Sequence, residues 1–196
     1  MRAATNALAV CVLVACNQKE ASSPAPAPAT APAERNPSSQ SPSERAIRAT
    51  AAGPAAVVNL VLEWDTAGLR FDERHAEALG RVNCYILEED CLSTEPGWDM
   101  ITAVRGYEVQ AIHEDADSAV YAIRFDEIGT LSGETMKATS GTQPDTLWLK
   151  RINGMWRIVS VESQMGPHLS PTAAFRMQAG LVSDTAKLAA WLGLHR

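Results

Sequence analysis

The residues of this chain with the clearest chemical potential are its cysteines, and spacing constrains Cys84 and Cys91 most. Thiols seven positions apart can form a disulfide, but on one continuous helix they would sit about 10.5 Å apart at 1.5 Å per residue. A bridge needs Cα atoms roughly 4.4–6.8 Å apart, so residues 85–90 must turn back if the bond forms. Two free thiols, or a metal pair without other convincing ligands, are the alternatives. Between the cysteines stand Glu88, Glu89 and Asp90. Closed by a disulfide, these three acids form a rigid negative knob that could dock a cationic partner with little further ordering. Left open, they are a solvated loop. The run His113-Glu114-Asp115-Ala116-Asp117 also has metal-ligand residue types. In an extended chain its side chains point alternately to opposite faces, so it reads as a polar turn, not a metal site. The sequence contains no Gly-rich phosphate loop, serine nucleophile elbow, His-Glu-x-x-His or Cys-x-x-Cys, so neither cofactor nor metal is expected.

The other two cysteines belong to the N-terminus. Met1-Arg2 is a short basic start, Ala7–Val14 is an uninterrupted apolar run, and small Ala15 precedes Cys16. These are the three parts of a secretory signal, and the run is far shorter than the roughly 20 residues that cross a bilayer as a helix. The ending Leu13-Val14-Ala15-Cys16 resembles the bacterial lipobox. That resemblance implies removal of residues 1–15, diacylation of the Cys16 sulfur and acylation of its new amine. Several acyl chains together anchor a protein effectively permanently, where one alone binds marginally. An ordinary secretory signal with a chance cysteine is the alternative. Asn17, where an Asp would favour inner-membrane retention, implies the periplasmic face of the outer membrane. In an exported chain Cys84 and Cys91 form an even pair in an oxidising compartment, where a disulfide is the natural state.

Beyond the anchor, residues 17–54 are dominated by Ala, Pro and Ser. Such a segment buries too little apolar surface to offset its ordering entropy, and its prolines favour extended polyproline II. Residues 16–54 are therefore expected to be a lipidated, disordered tether. The 142 residues that follow, 55–196, are of single-domain size; they carry 20 acids against 12 bases, a net charge of −8. That balance argues against nucleic acid and anionic membrane surfaces as partners and permits a basic protein.

The elements follow from periodicity. Gly53-Pro54 opens a helix whose face is Val57, Leu60, Val61 and Trp64, at i, i+3, i+4, i+7. Asp65–Gly68 closes it, and a second, charged helix begins at Asp72-Glu73-Arg74 and reaches Arg81. From Tyr107 the period becomes two. Four long antiparallel strands are expected, sharing an apolar face of Tyr107, Val109, Ala111, Tyr121, Ile123, Phe125, Leu147, Leu149, Trp156 and Ile158. Residues 129–144 read as a polar connection, and Asn153-Gly154 as a tight hairpin. The opposite face mixes Arg124, Lys150 and Arg157 with Ile112, Val120, Trp148, Val159 and Val161 and needs partial cover. The tail supplies two capped segments, one with Phe175 and Leu181, one with Leu188, Trp191 and Leu192, expected to dock on that face or across the sheet's open end. The fold class is thus α+β: N-terminal helices on a curved antiparallel sheet of four or more strands, with a C-terminal helical extension over 164–196.

Helices followed by a long-stranded sheet that ends in the hairpin Leu147–Ile158, with Asn153-Gly154-Met155-Trp156-Arg157 at its turn, resembles the nuclear transport factor two-like superfamily over residues 55–163. The resemblance implies a cone-shaped fold with a cavity between sheet and helices. Trp64, Tyr107, Tyr121 and Trp156 could line that cavity for a small apolar ligand, or simply fill the core. Enzymes of the superfamily place an Asp or His inside the cone, and Asp65, Asp99 and His113 are the candidates here; His113 lies beside a hairpin turn, where a solvated histidine is the ordinary case, and His75 falls on the charged helix. Fold alone does not settle function. The expected function is a non-catalytic binding lipoprotein, foremost an immunity or inhibitor protein against a secreted antibacterial toxin. A small-ligand binder using the cone comes second, and a lyase- or isomerase-type enzyme last.

Overall fold

Ser41-Pro42-Ser43-Glu44 forms a capping box: the Ser41 amide donates to the Glu44 carboxylate at 2.8 Å, and the Glu44 amide donates to the Ser41 hydroxyl at 3.3 Å. It starts helix α1, Pro42–Ala52, with proline at the first helical position, where its missing N–H costs nothing. The end of the segment expected to be a disordered tether is therefore ordered. Its Ala46 and Ala49 are buried, because small side chains let α1 lie close against its neighbours. The computed structural model describes residues 40–82, 100–139, 144–161 and 166–194.

Gly53 breaks the chain into α2, Pro54–Thr66, which buries Val57, Val58, Leu60, Val61, Leu62, Trp64 and Asp65. A single 3-10 turn, Leu69–Phe71, leads into α3, Glu73–Val82. The strands are β1 (Ile101–Glu114), β2 (Ser118–Ser132), β3 (Thr135–Ala138), β4 (Asp145–Ile152), β5 (Met155–Val161) and β6 (His168–Leu169); α4 (Pro171–Gln178) and α5 (Thr185–Trp191) follow. The sheet order is β5-β4-β2-β1-β6, with β3 also paired to β2. All pairings are antiparallel except β1 with β6. The expected α+β class, helices first, is what the chain adopts. Asn153 (φ 52°) and Gly154 (φ 80°) both take the left-handed conformation that a two-residue hairpin turn needs.

Several expectations are corrected. Residues 129–138 are not a polar connection: β2 runs on to Ser132 and turns into β3, burying Leu131. Ala111 is exposed, because β1 and β2 extend past the helices that cover the rest of the apolar face. Val161 packs on the main core and not on the mixed face, since a bulge between Trp148 and Leu149 pairs Leu147 with Val161 but Leu149 with Ile158. Leu181, beyond the end of α4, is 65% exposed.

Two further bulges divide the core. On β1, Val104 pairs with Glu127 and Gly106 with Asp126, leaving Arg105 as an extra residue; on β2, Ile128 is extra between Glu127 and Gly129. Each extra residue reverses which face the side chains address. Tyr107, Val109, Phe125 and Val104 therefore face the main core with α1, α2 and α3. Ile101, Ala103 and Leu131 turn to the opposite face, into a second core with Leu169, Ala173, Ala174, Leu188 and Leu192 from the tail. The C-terminal helices thus cover one end of the mixed face. Gly129 makes this approach possible: a Cβ there would lie 2.2 Å from the Lys137 carbonyl oxygen and 2.9 Å from the Trp191 ring.

Candidate functional site

Above the end covered by α4 and α5, the mixed face carries a row of paired positions. Gly106 opposes Asp126, Glu108 opposes Arg124, Gln110 opposes Ala122, and on the other side of β2 Trp148 opposes Val120. Between the first two rungs lie Tyr107 and Phe125, whose side chains pack on the main core and leave their backbone as a floor. The result is an open hollow of about 540 Å³ bounded by Arg105, Gly106, Glu108, Arg124 and Asp126. The space above Gly106 is open: a Cβ there would meet no heavy atom within 4 Å. Arg105 bonds Asp126 at 3.2 Å, with both side chains more than half exposed. Glu108 and Arg124 are exposed, Val120 and Trp148 are half-buried, and Ile112, at a third bulge of the β1–β2 pair, is 61% exposed. Two cations and two anions over a backbone floor can orient polar groups of a partner, and the hollow can seat one side chain.

A second grouping is buried. Asp65, at the end of α2, accepts from the Arg70 guanidinium at 3.0 Å and from the His168 backbone amide at 3.0 Å, and all three residues are at most 7% exposed. The His168 ring stacks on Phe125 with centroids 3.8 Å apart and lies 3.7 Å from the Asp65 carboxylate through Nδ1. The Ser170 amide donates to the Thr66 carbonyl beside it. Both carboxylate oxygens of Asp65 are engaged, one by Arg70 of the 3-10 turn and one by the β6 backbone, so the arrangement ties the tail to the helices; the buried His168 Nδ1 has no hydrogen-bond partner among the described residues.

The chain matches no family model, no curated protein and no solved structure.

The structure sorts the sequence candidates. Trp64, Tyr121 and Trp156 are buried in the main core, and Tyr107 is half-buried against it; only Tyr107 also borders the hollow, through the floor. Burial, then the Glu63 charge, raises the Tyr107 phenol. Burial and its 2.5 Å bond to Glu114 push the Tyr121 phenol up to about 12. His113 is exposed and bonds Asp115 at 2.9 Å; Asp115 also accepts from the Asp117 and Ser118 amides. Those bonds, the Asp117 amide foremost, hold the Asp115 carboxyl well below the usual carboxylate range. The segment is a polar turn. His75 is not on a solvated surface: it is 8% exposed with its ring edge-on to Trp64 at 5.3 Å, and burial lowers its pKa. Cys16, Cys84, Glu88, Glu89, Asp90, Cys91 and Asp99 lie outside the described residues. The hollow was not legible in advance. Glycine inside an alternating strand is the one signal that points to it, since such glycines mark bulges or close approach.

Proposed function

We propose that this is a lipid-anchored, periplasm-facing binding protein that holds a protein partner on the open sheet face and performs no catalysis. The observation that carries the reading is the hollow at Gly106, framed by Arg105, Glu108, Arg124 and Asp126 on a face that, among the described residues, helices cover at one end. The interior of the helix–sheet layer supports the same preference over a small-ligand cone. Trp64, Tyr121 and Trp156 are buried among the apolar side chains of the main core, as packing residues are. Helices preceding a long-stranded sheet are in keeping with the nuclear transport factor two-like resemblance. The lipobox and the outer-membrane assignment through Asn17 supply the anchor, and the −8 charge of residues 55–196 favours a basic partner. An immunity or inhibitor role against a cationic secreted toxin unites these features.

Photo-crosslinkers placed at Gln110 and Arg124 in the full chain, expressed in its native envelope, test the proposal. The expected result is adducts with one protein species, lost in Gly106→Trp and kept when Lys187, exposed on α5, becomes Glu. Adducts arising only from crosslinkers at residues 88–90 would move the interface to the acidic loop, and adducts from neither place would end the binding reading.

A further inference from the structure

We propose that the outer edge of β1 over Gly106–Ala111 accepts a basic, extended segment of the partner as an added strand, with one of its side chains seated in the Gly106 hollow. This inference rests on the reading of the open face as a protein-binding surface and specifies the mode and chemistry of that binding.

Along most of its length β1 is, among the described residues, the outermost strand. Among the described residues its outer side is paired only at Thr102 and Ala103, with β6. Its inner side is regular from Gly106 to Ala111, in register with Asp126 to Tyr121, and bulges at Arg105 and Ile112 bound this stretch. Six residues at about 3.3 Å each make a straight edge of roughly 20 Å. An open edge is a template for pairing, and proteins that avoid pairing blunt it with Lys, Pro or bulges. Residues 106–111 contain neither Lys nor Pro, and the bulges fall outside them. Tyr107 and Val109 are packed on the main core, so the edge is held in shape before anything binds.

The chemistry of the occupant follows from the charges beside this edge. From Gly106 to Asp117 the chain carries Glu108, Glu114, Asp115 and Asp117 and no Lys or Arg. Arg105 is already held by Asp126, and Arg124 stands opposite Glu108. A second copy of this chain would bring the same carboxylates against these, whereas a strand bearing lysines or arginines complements them. A large side chain covering an edge glycine is a known stabiliser of strand pairing. At Gly106 the space for it exists already, and exposed Ile112 offers an apolar contact at the far end.

The test uses the full mature chain with a blocked eight-residue peptide in which Lys alternates with Val and one Trp, against a control of the same charge in which Gly replaces every apolar residue. Amide exchange is followed by NMR, and affinity by titration. Expected are fast exchange at alternate amides of residues 106–111 in the free chain, at least tenfold slowing with the apolar peptide, and none with the control. Gly106→Trp and, independently, the surface change Glu108→Lys should each weaken the peptide at least tenfold, with Lys187→Glu neutral. Edge amides already protected in the free chain, equal binding of both peptides without protection, no binding of either, or a dimer of the free chain paired through β1 would each overturn the inference. If the crosslinks from Gln110 and Arg124 persist while the edge stays unprotected, the strand mode fails and the face-binding proposal stands; loss of both ends both.

Discussion

Replacing Asp65 by Ala removes a carboxylate that is 3% exposed and that accepts from two buried donors, Arg70 and the His168 amide, each at 3.0 Å. Breaking a buried ion pair by deleting one partner costs about 3–5 kcal/mol, because the remaining charge loses its compensation away from water. The bond to the His168 amide, about 1.5–3 kcal/mol for a hydrogen bond to a charged group, is lost with the same carboxylate and is counted inside that figure, not added to it. A total of about 4 kcal/mol is therefore expected. At a typical urea slope of about 1–3 kcal/mol/M for small proteins, the midpoint falls by well over 1 M. Equilibrium urea unfolding of the mature chain, followed by tryptophan fluorescence, measures it. The matched control is Glu77→Ala, which removes a surface ion pair in which Glu77 is 73% and its partner Arg81 45% exposed, and which should hardly move the midpoint. At low denaturant, where the variant is folded, partner binding on the open face should be unchanged, whereas a catalytic role for Asp65 would abolish activity with the fold intact. A destabilisation below about 1 kcal/mol would refute the argument, since it would mean that water already reaches the pair.

The remaining predictions concern the anchor, the loop, a carboxyl and a glycine. Cys16→Ser should leave the protein unacylated and unprocessed or soluble, and intact mass spectrometry of wild-type protein should show acyl mass; maturation insensitive to globomycin would refute the lipobox assignment. Cys84 and Cys91 should be joined in the mature protein, read by a non-reducing peptide map, and reduction should cost at most about 2–3 kcal/mol because the closed loop is short. Burial first, then Asp145, raises the Glu127 carboxyl, so the folded state holds its proton more tightly than the unfolded one. This favourable contribution is complete below the ordinary carboxyl range and is lost as pH rises through the folded value. Glu127→Gln should accordingly stabilise at pH 7 and converge with wild type near pH 4 in paired urea titrations. Gly129→Ala should destabilise by on the order of 2–3 kcal/mol, because its Cβ collides with backbone at Lys137 and with the Trp191 ring; a neutral result would mean that β3 and α5 do not close on Gly129 as described.

What the chain states locally could be read directly, because a few adjacent residues decide it. Alternation places β1, β2, β4 and β5, the i, i+3, i+4, i+7 face places α2, and Asn153-Gly154 marks its hairpin. Ser41-Pro42-Ser43-Glu44 would have revealed α1 as well, had the Ala- and Pro-rich composition around it not outweighed a four-residue signal. Tertiary structure decided the rest. Apart from Gly106 and Gly129, which adjoin Arg105 and Ile128, nothing in the sequence announces the extra residues at Arg105, Ile112, Ile128 and Val159, since a bulge forms where two strands must share a register that packing imposes from outside. Yet those bulges turn Ile101, Ala103 and Leu131 towards the tail, bring Val161 back to the main core and leave Gly106 at the foot of an open hollow. Asp65 and His168 are 103 residues apart, and only the closing of β6 against β1 brings them together. Local rules of propensity and capping act over one or two turns of chain, whereas face, burial and partnership depend on which segments meet.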